Sequence, residues 1–218
     1  MKRITHNHRV VRLFIFLVII LIAIVFAGCE KTKMSVGTND IEDSTADHDS
    51  NQLYSYIIPE ALFGGSDAKD IIEEYTNPNT TFLIKTGEEV PASDMISDVK
   101  LNEDGTLTYC FTASQLERYQ SFLYDCAALY TYIGTVEGTS IINTEFPNDD
   151  LTEIVINVDS NTYENTGQDG IYANGYTTMN MALYQILNGV DPYEWRVHVT
   201  VKDYKTGKIV TEDYYPND

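Results

Sequence analysis

The chain has 218 residues and a formal net charge of −19, with 33 acidic side chains against 14 basic ones. A surface this acidic repels polyanions, which argues against nucleic acid and anionic lipid headgroups as partners. The length allows one domain with a sizeable core once the N-terminal segments are set aside.

The start of the chain carries Lys2, Arg3, Arg9 and Arg12 and no acid, and residues 13–27 then run without a charge. A basic lead, a short apolar core and a small-residue exit are the layout of an export signal. The apolar run falls short of the about 20 residues that a spanning helix needs. Length alone leaves an untilted anchor open, and the cysteine that follows separates the two readings. Val25-Phe26-Ala27-Gly28-Cys29 resembles the lipobox of bacterial lipoproteins, with Phe26 where Leu is usual. The resemblance implies that the Cys29 thiol is joined to a diacylglycerol and that a peptidase cuts just before it. Residues 1–28 are then a lipoprotein signal peptide and Cys29 is the lipidation site. One acyl chain binds a membrane marginally and stable anchoring takes two; a diacylglycerol supplies both. The expected location is therefore the outer face of the cell membrane, with the membrane itself as partner through the lipid anchor.

Residues 29–52 hold the lipidated Cys and a stretch rich in Asp, Glu, Ser, Thr and Asn. Such a segment buries too little apolar surface to offset its ordering entropy, so it reads as a flexible acidic stalk. His6, His8 and His48 fall in the leader or the stalk. From residue 53 to 218, aromatic and β-branched residues recur in periodic runs, with 8 basic side chains against 27 acidic ones. This is the expected single ectodomain.

Its elements follow in order. Tyr54 to Ile58 reads as an edge strand, and Ser66 or Asp67 caps a short helix from Ala68 to Tyr75 with Ile71, Ile72 and Tyr75 on one face. Thr81 to Val90 is either a small hairpin turning at Thr86-Gly87 or a loop. Asn102-Glu103-Asp104-Gly105 closes a clear hairpin, placing Val99 and Leu101 on the face of Leu107, Tyr109 and Phe111. Ser114-x-x-Glu117 matches a capping box before a long helix. Its stripe is Leu116, Tyr119, Leu123, Cys126, Tyr130 and Ile133, with Gly134 as its stop. Ile154, Ile156 and Val158 alternate along a strand. A second long helix runs from about Asp169 to Asn188, with Tyr172, Tyr176, Met179, Leu183 and Leu187 on its stripe. Trp195, Val197, Val199 and Val201 open a final hairpin that turns at Asp203 to Gly207. The order predicts an α+β fold in two layers, a mostly antiparallel sheet with both long helices packed on one face.

Three ordered stretches, "IIPEALFGG", "DVKLNEDGTLTYCFTASQ" and "YQILNGVDPYEWRVHVTVKDYKTGKIV", are similar to a family of exported lipoproteins of Gram-positive bacteria. The resemblance implies location and fold, and no activity. "TTFLIKTGEEVPAS" is longer than the link usual there.

The search for chemistry yields no catalytic set. His198, the sole histidine past residue 48, lies mid-strand and reads as a cross-strand partner. Ser66 follows both glycines of Gly64-Gly65, unlike a hydrolase elbow. Asn102–Gly105, Asn148–Asp150 and residues 159–170 hold acids without the alternate spacing of a calcium loop, and turn chemistry explains them. No metal and no cofactor is expected. Cys110 and Cys126 read as two buried or half-buried thiols on opposite sides of the sheet, unbridged. Among 16 tyrosines, Tyr124, Tyr132, Tyr193, Tyr204 and Tyr214 are the candidates for exposure, flat apolar area with a polar tip that suits peptide or glycan contacts. The expectation is a tethered binding or interaction module, not an enzyme. The alternative is a cell-envelope hydrolase using paired carboxylates.

Overall fold

The computed structural model describes residues 52–216; the signal-peptide, Cys29 and stalk readings lie outside them, apart from Gln52. Nine strands are formed, β1 (Tyr54–Ile58), β2 (Thr81–Leu83), β3 (Glu89–Pro91), β4 (Asp98–Leu101), β5 (Leu107–Phe111), β6 (Ile141–Glu145), β7 (Glu153–Val158), β8 (Val197–Asp203) and β9 (Ile209–Tyr215). The helices are α1 (Ala68–Thr76), α2 (Ala113–Ala127), α3 (Tyr130–Thr135), α4 (Gln168–Ile171) and α5 (Thr177–Leu187), with a π-helical stretch, Tyr172–Tyr176, joining the last two. The fold is α+β with mostly antiparallel pairing. Its strands divide among three sheets, β1-β5-β4, β2-β3 and β6-β7-β8-β9, where the sequence suggested one. Among the described residues the one parallel pair is β7 with β8. A parallel pair needs a crossover of a dozen or more residues, and the α4–π–α5 helix supplies it. That helix packs on α2 and touches β1 of one sheet and β8 of another, so it lies at the centre of the domain.

Local chemistry sets most boundaries. Asp67 caps α1, its Oδ1 accepting from the Lys69 N–H at 3.1 Å. Residues 81–91 form the hairpin rather than the loop. In the β4–β5 turn the Gly105 N–H donates to the Asn102 carbonyl at 3.1 Å, at φ +87°. Val99 pairs with Tyr109 and Leu101 with Leu107, the expected register. Leu101, however, is 54% exposed, because it ends an edge strand at the hairpin tip.

Two helix expectations are corrected. The capping box of α2 is Thr112 with Gln115, not Ser114 with Glu117: the Gln115 N–H donates to Thr112 Oγ1 at 3.3 Å and the Thr112 N–H to Gln115 Oε1 at 2.9 Å. Thr112 leaves β5 still extended (φ −71°, ψ 166°), the backbone an N-cap needs. The helix also does not continue to Ile133. It breaks at Leu129, which takes φ +57°, and α3 begins afresh. A left-handed non-glycine residue costs of order 1–3 kcal/mol. Leu129 is fully buried, and that burial holds it. Near the break, Thr177 Oγ1 donates to the Ala127 carbonyl at 3.3 Å and Thr144 Oγ1 to the Ala128 carbonyl at 2.8 Å.

The residues from 177 to 187 are buried on nearly every side, not along one stripe: Thr177, Asn180, Ala182, Gln185 and Ile186 are all buried. Gln185 is satisfied by two carbonyls and an amide. Its Nε2 donates to Leu151 and Arg196 at 2.8 Å each, and its Oε1 accepts from the Arg196 N–H at 3.1 Å. No helix among the described residues is long and apolar enough to cross a membrane.

Leu129→Ala should lower unfolding free energy by about 2–5 kcal/mol, measured by urea denaturation. Leu129→Gly is expected to cost no more than Leu129→Ala, since glycine accepts the positive φ. An extra loss of about 1 kcal/mol for glycine, the penalty in an ordinary helix, would contradict the account.

Candidate functional site

The tyrosines nominated by the sequence do not gather. Tyr124, Tyr193, Tyr204 and Tyr214 are exposed, and among the described residues no two of these rings are in contact. Tyr204 follows β8 at one end while Tyr214 pairs with His198 at the other. Tyr132 is buried, a correction: the break at Leu129 turns it inward, where it stacks on Tyr172 with ring centres 4.0 Å apart. His198 is the cross-strand partner expected, stacked on Tyr214 at 4.1 Å with its Nε2 2.9 Å from Glu212 Oε1. The Ser66 N–H donates to the Phe63 carbonyl in a turn. Cys110 and Cys126 are free and buried. Burial pushes the Cys126 thiol up to about 12, which leaves it protonated and unreactive at neutral pH. The acid-bearing loops act as turns: Asp104 and Asp150 accept from the threonines two positions on, and Asp159 from Asn161. Among the described residues no group of three or more His, Cys, Asp or Glu side chains is placed to hold a metal ion.

Two concavities lie on the surface of the described residues. The first encloses about 230 Å³ between residues 136–139, 162–164 and 167–169, and gathers Glu137, Glu164 and Asp169. It is the natural place to look for paired carboxylates. Asp169, however, is occupied. It accepts from Tyr132 Oη at 2.5 Å, Thr139 Oγ1 at 2.7 Å, the Ser140 N–H at 2.6 Å and Ser140 Oγ. Burial pushes its pKa up, and these four donors outweigh burial and hold it below the usual carboxylate range. A general acid of a glycosidase needs the opposite shift. Asp169 is a clamp that ties the strand entering β6 to the first turn of α4.

The second concavity is apolar, encloses about 210 Å³ and draws on four separate segments. One wall is the turn after β1, with Ala61, Leu62 and Gly64. The floor is the π stretch and the first turn of α5. Trp195 and Tyr215 close the far side. Gly64 takes φ +63°, and a Cβ there would lie 3.3 Å from Met179 Sδ, so glycine lets the turn come down onto the helix. The π stretch reads Tyr-Ala-Asn-Gly-Tyr; Asn174 and Gly175 are weak helix formers. Such bulges recur at functional sites. Tyr172 and Tyr176 contact one another with ring centres at 5.3 Å.

Among the described residues no charged side chain lines this groove. Its polar residues carry the most telling feature. Thr178 is 6% exposed, and its Oγ1 is buried without a hydrogen-bond partner. The Oδ1 of Asn174 is buried and unpartnered in the same way. The Asn174 amide nitrogen is engaged, donating at 2.9 Å to Asn165 Oδ1, which also accepts from Tyr163 Oη. A buried unpaired polar group costs about 1–3 kcal/mol, and each one calls for an explanation. The uncharged apolar lining, with Trp195 and three tyrosine rings around a π-helical stretch, marks this groove as the candidate binding site. The sequence signals were the Asn-Gly pair inside an apolar helical run, the lone Trp195 and the Gly64-Gly65 turn. Nothing in the linear order joins them.

Two outcomes test this description. Thr178→Val keeps the shape and removes the unpaired hydroxyl, so it should raise unfolding free energy by about 1 kcal/mol. A loss of that size in urea denaturation would mean that the hydroxyl has a partner. For Asp169, the folded pKa lies below the unfolded value near 3.9. The stability it contributes is therefore complete above that value and lost as pH falls through the folded pKa. Asp169→Asn should be less stable than the parent at pH 7 and show a shallower fall of Tm below about pH 4. Parallel acid curves would refute the clamp.

Comparison with protein families, with curated proteins and with solved structures finds no match for this chain.

Proposed function

We propose that this protein is a lipoprotein held on the outer face of the cell membrane through a diacylglycerol on Cys29, and that residues 53–218 form a module that binds a peptide or glycan ligand. The anchor is supported by the basic lead, the short apolar run and the small residues before Cys29. The stalk spaces the domain from the bilayer. The binding reading is carried by one observation: an uncharged apolar groove of about 210 Å³ lined by Tyr172, Tyr176, Trp195 and Tyr215 at a π-helical stretch. Sites of this kind combine apolar lining with a few placed polar atoms.

Trp195 is the only tryptophan of the chain and lines the groove. Its fluorescence therefore reports occupancy directly. Titrating the full chain in non-ionic detergent with cell-wall saccharides and with short peptides should give a saturable change with one of the two classes; no change with either would remove the binding reading. For the anchor, Cys29→Ala is expected to move the protein out of the membrane fraction. Mass spectrometry of the parent should find an N-terminal Cys29 carrying lipid, and a bare thiol behind an intact leader would contradict the assignment.

A further inference from the structure

Resting on the reading of the groove as the binding site, we propose that its ligand is an extended basic peptide that pairs with the free edge of β9 and ends at the groove. A strand at the rim of a sheet presents a row of unpaired N–H and C=O groups, a template for another strand unless the protein blunts it. The four-stranded sheet has two rims, β6 and β9. β6 is blunted: a bulge interrupts its register between Ile141 and Asn143, and α3 lies against it. β9 is not. Its register with β8 runs unbroken from Thr211 to Tyr215. Among the described residues, no backbone group of residues 209–215 is hydrogen-bonded to anything except β8. The rim also meets the groove, because Tyr215 belongs to both. A residue paired opposite Tyr215 places its side chain on the same face of the sheet, about 5 Å away at Cβ, beside a ring that lines the groove. A glycan has no ladder to offer such a rim, whereas a peptide adds main-chain hydrogen bonds along it.

Charge selects the incoming strand. Glu212, exposed, and Asp213, half-buried, stand in the middle of this run, one on each face of the sheet. The lysines of the hairpin, Lys202, Lys205 and Lys208, sit at its turn end, away from Tyr215. A second copy pairing antiparallel about a two-fold axis would set Glu212 against Glu212 or Asp213 against Asp213 in its central registers. Like charges directly opposite destabilise a strand pair, so the edge is guarded against its own kind. Two consecutive basic residues in a foreign strand meet one carboxylate each, one on either face. A β-branched residue then falls opposite Tyr214, and a large apolar one opposite Tyr215.

The test titrates the full chain in non-ionic detergent and reads Trp195 fluorescence, since the probes hold no tryptophan. The first probe is end-capped Leu-Val-Lys-Lys-Thr, which in an antiparallel register sets Leu opposite Tyr215 and the lysines opposite Asp213 and Glu212. Two versions of it carry backbone N-methyl groups, one on the first, third and fifth residues and the other on the second and fourth. Alternate N–H groups of a strand point to opposite sides. One methylated set should therefore lose affinity at least about tenfold, the worth of its ladder hydrogen bonds, and the other far less. Leu-Val-Glu-Glu-Thr should not saturate. Glu212→Gln should weaken Leu-Val-Lys-Lys-Thr about two- to fivefold, the worth of an exposed ion pair, and leave Leu-Val-Gln-Gln-Thr unchanged. Equal affinity for the two methylated sets would overturn strand pairing and leave the groove a binding site. Binding of the glutamate peptide as tight as the lysine peptide would overturn the basic requirement. Saturation by N-acetylglucosamine oligomers alone would overturn the peptide assignment and likewise leave the groove. Silence from every probe would overturn the groove reading with it.

Discussion

A helix buried on nearly every side must find partners for each polar side chain it carries, and this requirement organises the domain. The α4–π–α5 helix connects two parallel strands, lies against α2, and touches strands of both larger sheets. Its polar side chains are therefore withdrawn from water. Gln185 is met by Leu151 and Arg196, Asn180 donates to the Tyr176 carbonyl at 2.7 Å, and Thr177 donates to the carbonyl of Ala127. Thr178, the neighbour of a fully satisfied threonine, has no such partner. The contrast within one helix is what gives the unpaired hydroxyl its weight.

The same helix accounts for features that look unrelated. Its crossover makes β7 and β8 parallel and separates the hairpin sheet from the four-stranded one. Thr177 reaches the Ala127 carbonyl just before the left-handed Leu129, so packing on this helix and the break between α2 and α3 support one another. The break turns Tyr132 onto Tyr172 and its hydroxyl onto Asp169, which holds the loop before β6 to the first helical turn. Upstream of the groove, the chain is thus clamped at both the ring and the carboxylate.

The fold class and most elements are legible in the sequence because alternation and helical spacing record which face is buried. Ile154, Ile156 and Val158 are all fully buried, as their period of two requires. What periodicity does not record is the partner, so the parallel pairing and the division into separate sheets lie beyond it. β6 escapes because Ile141 is its one buried residue. The break at Leu129 escapes because no glycine announces it, and with it the burial of Tyr132 and the exposure of Tyr130. The capping box escapes because Thr112-x-x-Gln115 and Ser114-x-x-Glu117 both satisfy the pattern, and only the extended backbone after β5 chooses. The candidate site is the least legible part. Ala61, Thr178, Trp195 and Tyr215 are brought together by tertiary packing alone, and an unpaired atom is a property of the packed state.

The proposed function puts recognition in the apolar groove beside Trp195 rather than on the scattered exposed tyrosines. Nuclear magnetic resonance of the full chain, with threonine methyls, asparagine side-chain amides and the indole N–H labelled, tests it most directly. On adding the cell-wall saccharides or the short peptides, the largest shifts should fall on the Trp195 indole, the Thr178 methyl and the Asn174 amide, all from residues that line the groove. Shifts centred instead on residues around Tyr124, Tyr193, Tyr204 or Tyr214, with Thr178 unmoved, would contradict the account.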